Sequence, residues 1–346
     1  MELHHTFPII LSFKMRNFII IICLFQLIIL GCVEEFDLYP DHAEPRLVVE
    51  GLVTNKPGPY IIRLTESHTG KFIDPDYHNI DNAIGIMNAI VIISDNIDQT
   101  DTLKPMEFKQ DDYKYDYRFG YYKVIYDGSG NAIDTTYWKY PAEFNHERGF
   151  YITNHLKGIP SRTYNLKVIS KGVEYQANSY MPEVPDIDSI GYFKKIMEKD
   201  GQEYYIPLLY FSEPQNIKNY YLIQLSDEIH SRLFSEMLWQ FSILSDEFLE
   251  PYVNGLNISL GQTPRNFEYP WYWDGDSIYI GLSSLTKESY DYYNALINQF
   301  KNDGGAYQLS PGSPPTNMTN GALGFFRASA ISEKKIKIPY SFLKGF

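Results

Sequence analysis

Cysteine is almost absent from this chain: two occur in 346 residues, Cys23 and Cys32, and none follows. Without a later cysteine there is no disulfide framework, so the folded part must hold itself together by its core. Positive charge is also scarce, with 30 Lys and Arg against 43 Asp and Glu and a net charge of −13. Such a surface repels nucleic acid and anionic headgroups, which argues against both as partners. The signatures of the common hydrolases are missing too. No Gly-x-Ser-x-Gly is present, and Gly128-Ser129-Gly130 has the spacing of a hairpin turn instead. No His-Glu-x-x-His is present. His42, His68, His78, His146, His155 and His230 never fall four residues apart, so no zinc site is signalled and each reads as a surface or loop histidine. No cofactor motif, low-complexity tract or short-period repeat stands out.

What the sequence does have begins with one long apolar run, Phe18 to Cys32 (FIIIICLFQLIILGC), behind Arg16. It is shorter than the ~20 apolar residues a membrane span wants and has the length of a signal-peptide core. Its last residues, Ile29, Leu30, Gly31 and Cys32, resemble the lipobox of bacterial lipoproteins. That resemblance implies cleavage after Gly31 and diacylglycerol on the thiol of Cys32, which becomes the mature N-terminus. Residues 1–31 are then a processing element whose true start is Met15, and losing Glu2, Lys14 and Arg16 leaves the remainder more acidic by one charge. A thiol acylated at Cys32 also removes any cysteine nucleophile. Residues 32–45 have no apolar periodicity and read as a lipidated tether reaching ~40 Å when extended. Its acidic start, Glu34, Glu35 and Asp37, resembles the signal that sends lipoproteins of Bacteroidota to the outer face of the outer membrane, and reads equally well as an ordinary solvated linker.

From Arg46 the pattern changes to short apolar runs between turn residues. Leu47–Val53, Tyr60–Thr65, Ala89–Ser94 (read as buried on both sides), Tyr121–Tyr126 with Thr135–Tyr140 as its hairpin partner, Phe150–Thr153, Tyr164–Ile169 and Val173–Tyr180 read as strands. This spacing without a helical period predicts a mainly β chain that opens with an immunoglobulin-like antiparallel β-sandwich over residues 46–185. Met181 to Ile187, with two prolines, reads as the boundary or crossover into a β-rich C-terminal domain over 186–346. There Tyr205–Phe211, Tyr220–Leu225, Ile258–Leu260 and Ile278–Leu282 read as strands, while Glu228 to Phe241 fits either state. One amphipathic helix is predicted over 287–301, with Tyr290, Tyr293, Ile297 and Phe300 on a core-facing stripe, Thr286 as its cap and Gly304-Gly305 as its stop.

Two acidic clusters offer carboxylates that calcium could use: Asp74-Pro75-Asp76 with Asp81 lacks the glycine and closing glutamate of a calcium loop and reads as a solvated loop, Asp274-Gly275-Asp276 reads equally well as a turn, and no metal site is assigned. The dense aromatic run Phe267 to Trp273 (FEYPWYW) is the candidate binding surface, through Trp271, Tyr272 and Trp273. Exposed aromatics mark recognition surfaces, and a loop wedged between sheet and helix is the competing reading.

The last stretch, Pro314 to Phe326 (PPTNMTNGALGFF), combines an irregular loop, tight-turning glycines and a closing strand at Ala322 to Ala328. Together with Leu47-Val48-Val49-Glu50-Gly51 before Pro57-Gly58-Pro59-Tyr60, with Gly158, Tyr164-Asn165-Leu166 and Tyr175, and with Ile187-Asp188-Ser189-Ile190, this ending resembles the family called domain of unknown function 4249. The resemblance covers essentially the whole chain beyond residue 31. It implies an exported, lipid-anchored outer-membrane protein of Bacteroidota. Such genes often lie beside those for TonB-dependent receptors, so the implied role is a non-catalytic accessory of such a receptor in nutrient uptake. It carries over no catalytic residue. A stand-alone surface protein that binds glycan or protein is the alternative, and an enzyme comes third.

Overall fold

In the stretch LVVEGLVT, Leu47, Val49 and Val53 are buried while Glu50 between them is exposed. That alternation is a strand with one face in a core, and it recurs through the computed structural model. The structure describes residues 44–67, 84–106, 120–126, 132–139, 149–196, 203–226, 241–257, 277–301 and 312–338, all of which belong to one compact unit. Among them are ten strands of the first half: β1 (Leu47–Thr54), β2 (Ile61–Glu66), β3 (Ile90–Asp95), β4 (Thr100–Thr102), β5 (Lys104–Pro105), β6 (Gly120–Tyr126), β7 (Ala132–Lys139), β8 (Phe150–Ile152), β9 (Thr163–Ser170) and β10 (Val173–Tyr180). The second half adds β11 (Ile187–Ile196), β12 (Glu203–Ser212), β13 (Tyr220–Ser226), β14 (Phe241–Ser245), β15 (Tyr252–Asn257), β16 (Ser277–Leu285), the helix α1 (Lys287–Lys301), β17 (Leu323–Ser329) and β18 (Ile331–Lys337).

The chain is mainly β, as expected, and it opens with a sandwich. One sheet runs β17-β1-β2-β8-β5 and the other β10-β9-β3-β4. Both feed one core in which Val49, Ile62 and Leu64 meet Val91, Ile93 and Val168 with no exposed surface. The expected hairpin forms a separate ribbon, β6 against β7, with Tyr121 opposite Trp138. β3 is buried on one face only, which corrects the expectation for Ala89–Ser94. Val91 and Ile93 point into the core, but Ile90 is 52% exposed, because a sandwich strand turns its second face to solvent whatever side chains it carries there.

Residues 181–186 lead from β10 to β11. Beyond them lies a second sandwich, with sheets β11-β12-β15 and β14-β13-β16-β18 around Leu209, Phe211, Tyr221, Ile223, Ile280 and Leu282. The helix packs on the far side of the second of these sheets. Tyr293 and Ile297 are buried there against Leu222, Phe241 and Ile243, and the ring of Tyr290 lies 4.9 Å from that of Tyr220. The predicted cap is present: the Ser289 N–H donates to the Thr286 hydroxyl at 3.2 Å. No described helix is long and apolar enough to cross a membrane.

A sandwich that ends at residue 185 is incomplete, because its edge strand comes from the other end of the chain. β17 lies parallel to β1, from Val48 opposite Leu323 to Thr54 opposite Ser329, whereas every other strand pairing among the described residues is antiparallel. The irregular loop before it lies along the open edge of β10, where the Thr319 N–H donates to Gln176 O and the Gln176 N–H donates to the Thr319 hydroxyl, both at 2.8 Å. Asn317 then reaches from Asn178 O to both backbone groups of Phe326. Gly324 has φ +83°, and a Cβ there would stand 2.0 Å from Val49 O, so only glycine lets the two backbones close. The loop and β17 thus fasten one sheet of the sandwich to the other.

Candidate functional site

Two backbone segments at one end of the first sandwich face each other across a cleft of about 770 Å³, a volume in the range of ligand sites. One wall is the β1–β2 turn, Asn55 to Tyr60, whose two prolines remove donors and stiffen it. The other is the stretch from Ile152 to Ile159 after β8.

Tyr60 ties the walls together. Its N–H donates to the Thr153 hydroxyl at 2.8 Å, and its carbonyl accepts from the Thr153 N–H at 3.0 Å. Its phenol accepts from the Gly158 N–H and donates to Lys56 O, both at 2.8 Å. Burial pushes that phenol up, with the Gly158 N–H pulling against it. Position 158 must be glycine, since a Cβ would come within 1.9 Å of Thr54 O.

Two buried carboxylates set the loop shapes. Asp101, on β4, accepts from the N–H groups of Asn154, His155 and Leu156 at 2.7 to 2.9 Å and from the Asn154 side chain at 2.9 Å. Asp95, at the end of β3, accepts from the N–H groups of Ile97, Asp98 and Gln99, from the Gln99 side chain, and from Arg162 at 2.5 Å. Burial alone would raise both acids. The donors outweigh it, and both titrate below the usual carboxylate range, Asp95 far below. Gln99 then locks one loop to the next, accepting from Lys157 N–H at 2.9 Å and donating to Lys157 O at 3.1 Å. The Tyr164 phenol accepts from Ile159 N–H at 2.6 Å.

Beside Ile159 and the two prolines, the side chains left on the rim are polar or cationic. Lys56 meets Glu333 at 3.2 Å, and Asn55 exchanges hydrogen bonds with both backbone groups of Ile331, so the β1–β2 turn also rests on β18 of the second sandwich. The His155 ring is 68% exposed, with Nε2 3.1 Å from Thr100 O and Nδ1 3.6 Å from the Asp101 carboxylate. Lys157 is exposed and has no carboxylate partner among the described residues. No three metal-ligating side chains converge among the described residues. A second buried polar cluster lies at the β12–β13 connection, where Glu213 accepts from the Tyr221 phenol at 2.9 Å and from the Asn219 amide at 2.8 Å. Burial raises both Glu213 and Tyr221.

The candidate residues read from the sequence, Gly31, Cys32, Trp271, Tyr272 and Trp273, lie outside the described residues, as do the two acidic clusters, the strand expected at Ile258–Leu260 and every histidine named above except His155. Three of the motif pieces do come together, for Pro57 to Tyr60, Gly158 and Tyr164 build one end of the sandwich. Sequence reading missed Asp95, Asp101 and Gln99. The available signal was Asp101 flanked by exposed threonines, a polar residue at an inward position of a strand.

No curated protein matches the chain. The model of the family described as Domain of unknown function (DUF4249) matches residues 33–335, and the chain belongs to that family.

Proposed function

We propose that this chain is a lipid-anchored outer-membrane accessory protein. It is tethered through acyl chains on Cys32 and binds a TonB-dependent β-barrel receptor in nutrient uptake. The lipobox-like run ending in Gly31 and Cys32 supports the anchor, and the acidic residues behind it support display at the cell surface. The observation that carries a binding role is the loop end of the first sandwich, whose turns are held by buried side chains before any partner arrives. A preformed surface loses little conformational freedom on binding, which is what recognition requires. The buried carboxylate behind the 152–159 wall supports binding over catalysis, because Asp101 already has four N–H donors on its oxygens.

The test is affinity purification of a C-terminally tagged chain from mildly solubilised outer membranes, with mass spectrometry of what comes with it. A near-stoichiometric TonB-dependent receptor is the expected result. A chain recovered alone overturns the accessory role and turns attention to a stand-alone glycan or protein binder.

A further inference from the structure

We infer that the cleft between the β1–β2 turn and residues 152–159 docks an acidic polypeptide segment that also carries apolar side chains, presented by a partner protein. The inference deepens the binding role proposed above by naming the chemistry of its occupant. Charge is the first argument. The described residues lining the cleft include Lys56 and Lys157 and no carboxylate, in a chain where acidic residues outnumber basic ones 43 to 30. Lys157 has no carboxylate partner among the described residues. Among the described residues Lys56 is paired only with Glu333, whose side chain is 55% exposed, and an exposed pair of that kind is worth little and exchanges readily for another carboxylate. Asp98, the exposed acid of the neighbouring loop, faces Arg162 at 3.2 Å, a guanidinium it shares with Asp95.

Shape is the second argument. Pro57, Pro59 and Ile159 give the cleft an exposed apolar lining, so a bare anion would leave that surface wet. Apolar side chains are exposed beyond the cleft as well. Ile159 is 38% exposed at its rim and Ile97 is 65% exposed on the adjoining turn, whose Gln99 is bonded to Lys157. A footprint extending past the cleft onto a second fixed loop suits a polypeptide better than a small molecule. Opposite charge across such a rim steers the encounter, and the apolar centre holds the complex.

The experiment is photo-cross-linking in the full membrane-resident chain, with benzoylphenylalanine at position 159 and, as a control, at position 217 in the β12–β13 connection. Cross-linked peptides are sequenced, and yields are compared with Lys157→Glu and Lys56→Glu placed in the same chains. The expected result is an adduct from position 159 only, on a segment of net negative charge with apolar residues. Its yield should fall about tenfold with either charge reversal and likewise at about 1 M salt, where charge attraction is screened. Both lysine side chains project from a backbone held by other groups, so circular dichroism and melting temperature serve to confirm that the variants fold. No adduct from 159, an adduct on a basic or neutral segment, on glycan or on lipid, or a yield indifferent to both reversals overturns the inference. The two proposals fail separately. A receptor that co-purifies without cross-linking at 159 removes the cleft assignment, whereas an acidic segment from some other protein keeps the cleft and removes the receptor.

Discussion

The phenol of Tyr60 accepts a hydrogen bond from the backbone N–H of Gly158, 2.8 Å away and 98 residues further along the chain. One side chain thereby fixes the distance between the two walls of the cleft. Replacing Tyr60 with Phe keeps the ring and orphans the Gly158 N–H and the Lys56 carbonyl. The expected loss is about 1–3 kcal/mol, read as a lower urea midpoint with an unchanged slope.

Asp101 holds three consecutive N–H groups, so Asp101→Ala should cost about 3 kcal/mol and loosen residues 153–159. Faster amide exchange confined to that stretch is the local readout.

The buried acids give stability two opposite pH dependences. Asp95 and Asp101 titrate lower in the folded than in the unfolded chain. Their contribution is complete above the unfolded value of about 3.9 and is lost as pH falls through the lowered folded values. Glu213 is raised by burial, so stability declines as pH rises from its unfolded value of about 4.3 through its raised one. Glu213→Gln should therefore flatten the profile on that side and leave the acid limb intact. Urea midpoints across pH for parent and variant check the sign.

Phe326 has no exposed surface, and its backbone is gripped by Asn317. Phe326→Ala should cost about 3–5 kcal/mol. Gly324→Ala should be worse than an ordinary glycine substitution, since φ is positive and Val49 O occupies the space. Thermal melts rank the two, and loss of soluble protein for Gly324→Ala agrees with the expectation.

Cys32→Ala should release the chain from membranes if acylation is the anchor. The direct check is the mass of the mature N-terminal peptide, which should show a lipid-modified Cys32 following cleavage after Gly31.

Much of the fold was legible because burial writes its period into sequence. Val49 and Val53 alternate with outward residues, and Tyr290, Tyr293 and Ile297 keep the helical spacing that puts them on one side of α1. The place of β17 was not legible. Ala322 to Ala328 reads as a strand, but alternation does not say which of the free edges a strand joins, and a parallel partner across the whole chain leaves no local turn as a clue. The site was hidden for a related reason. Asp95 and Asp101 look like any loop carboxylates until the fold shows which N–H groups converge on them. The lysines of the rim gain meaning only once the sheets bring residues 56 and 157 to the same cleft.

The parallel pairing of β1 with β17 also sets a timetable. Synthesis runs from the N-terminus, and Arg46, beside β1, waits 275 residues for its partner Gly321. Until then β1 has β2 on one side and a bare row of amides on the other, the kind of edge that joins other chains. Pairing across so long a separation is slow to find. The first sandwich, begun before anything else in the folded part, is thus among the last structures to be finished, and the chain must be kept from aggregating through that edge for nearly the whole of its synthesis.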